Sequence, residues 1–169
     1  MTFIKVPRPV HHCQCGDHAW VALTRGYVTL VSPEDAHLLE AGPWNALVAE
    51  TGSVYARSRK MGGYLHRIIL ASDEVDHKSR VGTDNRRPNL RPCTRQQNAA
   101  NRNRKAGRVL PRGVYENKSG GFIARIADKG TKRNKNLGTY STAEEAARVY
   151  DAEALSKFGE FARMNFDQA

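Results

Sequence analysis

The stretch from residue 75 to residue 98, VDHKSRVGTDNRRPNLRPCTRQQN, holds the side chains best suited to chemistry. Asp76 stands beside His77, and two asparagines follow at Asn89 and Asn98. Asp76 and Asn98 offer hard oxygen ligands, which suit Mg²⁺ or a similar cation better than Zn²⁺. His77 would take a proton from an attacking water, and the metal would neutralise charge on a scissile phosphate. These residue types predict a phosphodiester-cleaving site.

The elements around this stretch are predicted to form a hairpin followed by a helix. Residues 75–77 end one strand, VGTDNRRP is a loop rich in turn residues, and NLRPC is a short return strand. Thr94 is the predicted N-cap of the helix, with Gln97 completing a capping box. Asn89 opens the return strand, where we expect it to pin the loop and to orient the His77 ring. The preceding segment YLHRIIL is a strand or a short helix, because its periodicity fits both.

The segment VDH…DNRRPNLRPCTRQQNAANR resembles the H-N-H nuclease motif of the ββα-metal fold, in the variant common in phage-encoded and homing endonucleases. His77, Asn89 and Asn98 match the three signature positions, with Asn in the place of the last His. The resemblance implies a general base at His77, metal ligation by Asp76 and Asn98, and a structural role for Asn89. It also implies a DNA endonuclease that leaves 5′-phosphate and 3′-hydroxyl ends.

Further residues and ions are predicted around this site. YLHRIIL resembles the segment that precedes the motif, which puts His66 and Arg67 near the site. Mg²⁺ is the expected metal, with Mn²⁺ or Ni²⁺ as alternatives, because an Asp/Asn site tolerates several ions. The number of strands cut and the choice between monomer and dimer stay open. Contacts to the DNA backbone are predicted for five arginines near the site, which are Arg86, Arg87, Arg91, Arg95 and Arg102.

The last third of the chain has a different pattern. It predicts three short strands with glycine-bearing turns, then a helix over STAEEAARVYDAEALSKFG with a Ser141/Glu144 capping box. Basic residues lie on the strands and turns, whereas the acidic residues Glu144, Glu145, Asp151 and Glu153 lie on the helix. Phosphates would repel these carboxylates, so the charge pattern favours presentation of the sheet to DNA.

Residues 111–166 resemble the APETALA2 or ethylene-response-factor type of DNA-binding domain, most clearly in RGV, LGTYSTAEEAARVYD and MNF. The resemblance implies a three-stranded antiparallel sheet packed on one helix, with the sheet in the DNA major groove. The usual Trp of the second strand is Phe122, and Arg125 and Ala127 also depart from the plant pattern, so base specificity does not carry over. The candidate contacts are Arg112, Tyr115, Arg125 and Lys135.

The segment HHCQCGDH places Cys13, Cys15 and His18 close together as candidate zinc ligands. Cys-x-Cys lacks the two-residue spacer that zinc sites usually have, and all three residues come from one short segment. A zinc site and a metal-free turn both remain open. The chain has three cysteines, an odd number that argues against a disulfide framework and fits a reducing compartment.

Composition sets the class of protein. The 169 residues carry a formal net charge of +10, which predicts a polyanionic partner, here double-stranded DNA. We expect a soluble, intracellular protein, in the host cytoplasm if phage-encoded, because neither a membrane span nor a signal peptide is evident. The expected fold is α+β, with an irregular N-terminal segment at 1–18, a nuclease domain at 19–105, a linker at 106–110 and a DNA-binding domain at 111–169. The alternatives to an endonuclease are a non-cleaving DNA-binding regulator and an RNA-binding accessory protein.

Overall fold

The computed structural model describes residues 8–102, 107, 109–128 and 133–166. The chain is α+β, as predicted, and forms two compact units that divide between Arg95 and Gln96. The predicted domain boundaries stay predictions, because residues 103–106 and 108, at and before the expected linker, lie outside the described residues. The expectation of an irregular segment at 1–18 is wrong for residues 10–12, which form a strand. In the described part of the chain, no helix has both the length and the apolar character needed to cross a membrane.

The first sheet of the N-terminal unit has four strands, which are β1 (Val10–His12), β2 (Ala19–Ala22), β3 (Val28–Val31) and β8 (Asp84–Asn85). Their order in the sheet is β1-β2-β3-β8. The first three are consecutive and antiparallel, whereas β8 returns from far along the chain to pair with β3 in parallel. Alternate residues of β2 and β3 are buried, and Ala19, Val21 and Val31 face the core.

The middle of the unit contains a three-stranded antiparallel sheet and two short helices. The segment YLHRIIL is mainly helical, because its apolar side of Leu65 and Ile69 packs into the core. Ser32 precedes the first helical turn but does not cap it, since its Oγ accepts a hydrogen bond from the backbone N–H of Arg87 at 2.9 Å. The elements are α1 (Ala36–Ala41), β4 (Asn45–Val48), β5 (Val54–Ser58), β6 (Gly63–Tyr64) and α2 (Leu65–Leu70).

The predicted hairpin and the following helix are both present. Strand β7 (Val75–His77) pairs antiparallel with β9 (Leu90–Pro92), with His77 opposite Leu90. Helix α3 (Arg95–Asn101) follows after two residues.

The C-terminal unit is a three-stranded antiparallel sheet with one long helix against it. The sheet consists of β10 (Val114–Glu116), β11 (Phe122–Asp128) and β12 (Arg133–Tyr140), and the helix is α4 (Ala143–Phe158). Alanines on α4 allow a close approach to Val114 and Ala124 of the sheet. The capping box is formed by Thr142 and Glu145, one residue later than predicted.

Candidate nucleic-acid interface

The sheet of the C-terminal unit has two different faces, because successive side chains of a strand point to opposite sides. Val114, Ala124 and Ile126 are buried on the face that α4 covers. The strand register places a second set of residues on the other, open face. That set is Tyr115, Ile123, Arg125, Ala127, Asn134, Asn136 and Thr139.

Arg125 is the cation at the centre of the open face. Its side chain is exposed, and its guanidinium carbon lies 5.7 Å from the centroid of the Tyr115 ring on the neighbouring strand. A guanidinium over an aromatic face gains a cation–π interaction and loses part of its conformational freedom. The Arg125 guanidinium is therefore partly ordered by the Tyr115 ring, and its N–H groups can donate hydrogen bonds to a ligand on the open face.

Helix α4 gives the other side of the unit an acidic character. Glu144 pairs with Arg148 at 2.8 Å, and Glu145 caps the helix N-terminus, where hydrogen bonds from Ser141 and Thr142 lower its pKa. Acidic side chains in the first turn also complement the helix dipole. The unit thus separates its carboxylates from its open face.

Lys135 does not share the open face with Arg125. It lies opposite Ile126 in the strand register, and its Nζ donates to Oε1 of Glu153 on α4 at 2.9 Å. This hydrogen bond raises the pKa of Lys135. The ion pair places the lysine on the helix side of the sheet, so the structure does not support it as a contact beside Arg125.

Arg112 begins the RGV segment and belongs to a network inside the unit. Its backbone N–H donates to Oδ1 of Asn165 at 2.6 Å, and its guanidinium donates to the carbonyl of Arg102. The next residue, Gly113, has φ of +75°, and a Cβ added there would overlap the ring of Tyr150. Burial raises the pKa of Tyr150, although Arg112 opposes that shift. The glycine is required because the backbone passes directly against this ring.

The MNF segment contains Asn165, whose hydrogen bonds give the segment a structural role. Asp151 of α4 is buried, and its carboxylate accepts hydrogen bonds from the Asn165 backbone N–H, the Asn165 amide and the Phe166 N–H. The amide of Asn165 also donates to the carbonyl of Arg112 at 3.1 Å. One side chain therefore ties the last described residues both to α4 and to the strand entry.

In the N-terminal unit, the structure places Asp76 in an ion pair. Its Oδ2 lies 2.7 Å from Nη2 and 2.9 Å from Nε of Arg91, and both residues are buried. The prediction that Arg91 contacts DNA stays a prediction that this pair disfavours, because the guanidinium already binds a carboxylate inside the unit. The metal predicted at Asp76 and Asn98 stays a prediction that this pair disfavours, since a guanidinium already binds the carboxylate. Asn98 lies on α3 beyond the division between the units.

His77 is held by a buried chain of hydrogen bonds. Its Nε2 lies 3.1 Å from Oδ1 of Asn85, whose amide donates to Oγ1 of Thr29 at 2.8 Å. Burial lowers the pKa of His77, while the Asn85 hydrogen bond and the Asp76 charge act in the opposite direction. Asn85, rather than Asn89, therefore holds the ring.

His66 packs edge-on against His77, with ring centroids 4.8 Å apart. Burial, followed by the charges of His77 and Arg67, lowers the pKa of His66 to about 3. Arg67 is exposed, and its guanidinium carbon lies 5.3 Å from the centroid of the Tyr64 ring. The two histidines thus form a neutral, buried aromatic pair near neutral pH.

Asn89 pins the loop, as the sequence predicted. Its Oδ1 accepts a hydrogen bond from the Ser79 backbone N–H at 2.9 Å, and its amide donates to the Asp84 carbonyl at 2.7 Å. These contacts join the two ends of the polar loop. The role of Asn89 is structural.

Most of the arginines predicted to bind phosphate are paired with carboxylates of the same unit. Arg86 and Arg87 each form two hydrogen bonds of 2.8 Å to one carboxylate, and the pKa of both arginines is raised by these bonds. Arg95 keeps an 85% exposed side chain. The Arg102 side chain is exposed. The pairs are Arg86–Asp84, Arg87–Asp35, Arg91–Asp76 and Arg95–Glu74.

The candidate zinc ligands Cys13, Cys15 and His18 lie together in the turn between β1 and β2. Their ligand atoms all lie within 4.8 Å of one another. Within the ranges that the structure describes, they are the one such group of three or more His, Cys, Asp or Glu side chains.

Sequence reasoning missed Asn85, Asn165 and the partners of the arginines. The available signal for Asn165 was its place in the MNF segment, which the resemblance singled out without a role. No local signal pointed to Asn85, because its partner Thr29 stands 56 residues earlier.

Comparison with known proteins gives similarity to plant transcription factors over about a third of the chain. The ethylene-responsive transcription factor FZP of Oryza sativa subsp. japonica is 48% identical over 60 residues, which are 36% of this chain and 18% of the relative. The ethylene-responsive transcription factor ERN1 of Lotus japonicus is 42% identical over 66 residues, 39% of this chain and 24% of the relative. The ethylene-responsive transcription factor LEP of Arabidopsis thaliana is 48% identical over 54 residues, 32% of this chain and 26% of the relative.

The chain therefore spans only about a fifth to a quarter of the length of these relatives. No protein-family profile matches it. The relatives are transcription factors rather than enzymes, and this finding overturns the prediction that the chain is an H-N-H endonuclease. What the comparison supports is the resemblance of the C-terminal segment to the ethylene-response-factor type of domain.

Proposed function

We propose that this chain is a DNA-binding regulator whose C-terminal unit binds double-stranded DNA with the open face of strands β10 to β12. The observation that carries the proposal is Arg125, exposed at the centre of that face and held by the Tyr115 ring. Similarity to transcription factors supports the same function.

The chemistry of the open face suits base edges as well as phosphates. Arginine forms two hydrogen bonds to guanine in the major groove, and asparagine does the same with adenine. Arg125, Asn134 and Asn136 lie on this face, and all three are exposed. The Oδ1 of Asn136 also accepts a hydrogen bond from the Gly138 N–H at 3.1 Å, which leaves its amide to donate outward.

Charge supplies the attraction that does not depend on sequence. The formal net charge of +10 favours a polyanion, and counterion release makes such binding strongly dependent on salt. The acidic residues of α4 lie on the side of the sheet away from the open face, so DNA on the open face avoids them. Arg148 on α4 is already paired with Glu144.

The test is binding of the full chain to a labelled pool of random duplexes, followed by selection of the bound sequences. We expect Arg125→Ala to weaken binding to the selected duplex about tenfold or more, which is the usual discrimination of one bidentate base contact. Arg148→Ala is the matched control, an exposed arginine of the same unit on α4, and should change affinity less than about twofold. Equal losses in the two variants would refute the assignment of the open face.

A second assay separates a regulator from an enzyme. Supercoiled plasmid incubated with the chain and Mg²⁺ should stay intact at concentrations that saturate binding. Metal-dependent nicking that disappears in His77→Ala would contradict the proposed function directly.

A further inference from the structure

We propose that Cys13, Cys15 and His18 form a zinc site, occupied when the two cysteines are reduced. The site lies in the N-terminal unit and is independent of the proposed DNA binding by the C-terminal unit. The sequence alone left both a zinc site and a metal-free turn open for these residues.

The geometry of the turn brings the three ligand atoms together. Cys15 Sγ lies 3.9 Å from His18 Nδ1, and all ligand atoms of the three residues lie within 4.8 Å of one another. A tetrahedral zinc ion with bonds of about 2.3 Å to sulfur and about 2.0 Å to nitrogen needs ligand atoms roughly 3.5 to 3.8 Å apart. The separation between Cys15 and His18 must shorten by a few tenths of an ångström. The two sulfur atoms, which are bonded to each other in the structure, must move apart after reduction to reach the separation that zinc needs.

The backbone fixes the turn at both ends. The Cys13 N–H donates to the His18 carbonyl at 2.9 Å, and the strand register next to it pairs His12 with Ala19. Inside the turn, the Gly16 N–H donates to the Cys13 carbonyl at 3.0 Å, with Gly16 at φ of +77°. Because these hydrogen bonds already order the backbone of the turn, the three ligand residues lose little further conformational freedom when they bind a metal.

The one-residue spacer does not keep the two sulfur atoms apart. Cys13 and Cys15 are close enough in the turn to be joined by a disulfide. The backbone N–H of Cys15 also points at Sγ of Cys13, 3.3 Å away. The spacing that argued against zinc in the sequence is thus compatible with two sulfur ligands on one side of the turn.

The ligand set selects zinc over the hard cations. Two thiolates and an imidazole suit Zn²⁺, whereas Mg²⁺ and Ca²⁺ prefer oxygen ligands. Three protein ligands leave one position, which water fills. The imidazole of the neighbouring His11 stacks on Trp20 with ring centroids 4.0 Å apart, so its ring is engaged elsewhere.

In the structure, Cys13 and Cys15 are joined by a disulfide, so metal binding is coupled to reduction. A phosphine and one water reduce the disulfide to two thiols, and the phosphine becomes the phosphine oxide. Zinc then binds both sulfurs and releases the two thiol protons. The oxidised and reduced chains have the same sequence, which makes oxidation a control free of mutation.

The experiment measures zinc bound by the full chain after anaerobic reduction with a phosphine and removal of excess reagent. We expect one zinc per reduced chain, in competition with a chromophoric chelator, and less than about a tenth of that in the oxidised chain. Substitution with Co²⁺ should give the thiolate charge-transfer absorption of a sulfur-ligated ion. Zinc should also raise the melting temperature of the reduced chain only.

The variants identify the ligands. Cys13→Ser, Cys15→Ser and His18→Ala should each weaken zinc binding at least tenfold, whereas Cys93→Ser, which changes the one cysteine outside the cluster, should bind like the wild type. The reduced and oxidised forms of the wild type have the same sequence, so their comparison needs no mutant folding control. Circular dichroism checks that the variants are folded. Equal zinc binding by the reduced and oxidised wild type, or loss of binding in Cys93→Ser alone, would overturn the proposal.

Discussion

The guanidinium of Arg91 binds the carboxylate of Asp76 through two nitrogens, at 2.7 and 2.9 Å, where both residues are buried. The pair joins β7 to β9 across the hairpin, because Asp76 and Arg91 are direct partners in the strand register. Arg91 was predicted to contact DNA and Asp76 to bind a metal, but in the structure the two side chains neutralise each other.

Replacement of Arg91 should destabilise the N-terminal unit. We expect Arg91→Ala to lower its free energy of unfolding by about 3 kcal/mol, because Asp76 then remains buried without its partner. Urea unfolding followed by tryptophan fluorescence measures this, since both tryptophans, Trp20 and Trp44, belong to that unit. Arg95→Ala is the control. Its exposed pair with Glu74 should contribute less than about 1 kcal/mol.

The buried histidines should make the N-terminal unit sensitive to acid. The pKa of His66 falls from 6.5 to about 3 in the folded chain. Between these pH values the unfolded chain binds a proton that the folded chain does not. The contribution of His66 to the free energy of unfolding is therefore fully present above pH 6.5 and is lost as the pH falls. The loss is about 1.4 kcal/mol per pH unit for one group, and the lowered pKa of His77 adds to it.

Urea titrations from pH 6.5 to pH 4.5 measure this slope. His66→Gln should reduce it by about one proton's equivalent. His37→Gln is the matched surface variant, because that side chain is exposed and its Nδ1 lies 2.9 Å from the Glu34 carbonyl. An unaltered slope in His66→Gln would show that this histidine titrates normally in the folded chain.

Gly113 provides a test of the strand entry in the C-terminal unit. Gly113→Ala should lower the free energy of unfolding by about 3 kcal/mol or more, because the methyl group meets Tyr150 and the residue stays at positive φ. Gly120→Ala shares the positive φ but has no neighbour within 4 Å of the added Cβ, so we expect a cost of about 1 kcal/mol. Thermal unfolding by circular dichroism compares the two. Similar losses would mean that the ring moves aside.

The carboxylate of Asp151 should be essential for holding Asn165 and Phe166 against helix α4. Asp151→Ala leaves the Asn165 and Phe166 N–H groups without their acceptor, and we expect a loss of about 2 to 4 kcal/mol. Glu153→Ala on the same helix removes an exposed pair with Lys135 and should cost less than about 1 kcal/mol. Amide hydrogen exchange at Asn165 should accelerate only in the first variant.

Local patterns predicted local structure well. The three strands of the C-terminal unit, the helix over residues 143–158 and the loop contact of Asn89 all depend on neighbours in sequence. The capping box was misplaced by one residue, because Ser141 and Thr142 are each followed three residues later by a glutamate. Only the backbone geometry distinguishes the two.

Contacts between distant residues were beyond the sequence patterns. The arginine-rich loop was expected to face phosphate, but Arg87 instead reaches Asp35, 52 residues earlier. A cluster of basic side chains predicts a polyanionic ligand only if carboxylates of the same unit do not already pair with those side chains. Nothing in the spacing of either residue shows that they meet.

The parallel pairing of β3 with β8 has a consequence for the order of assembly. Thr29 and Thr83, which are hydrogen-bonded beside this pairing, are separated by 54 residues, whereas β10 to β12 follow one another as a meander. Closing a long loop carries an entropic penalty before the contact forms, and chains rich in distant contacts fold slowly. We therefore expect the meander of β10 to β12 to form faster than the pairing of β3 with β8.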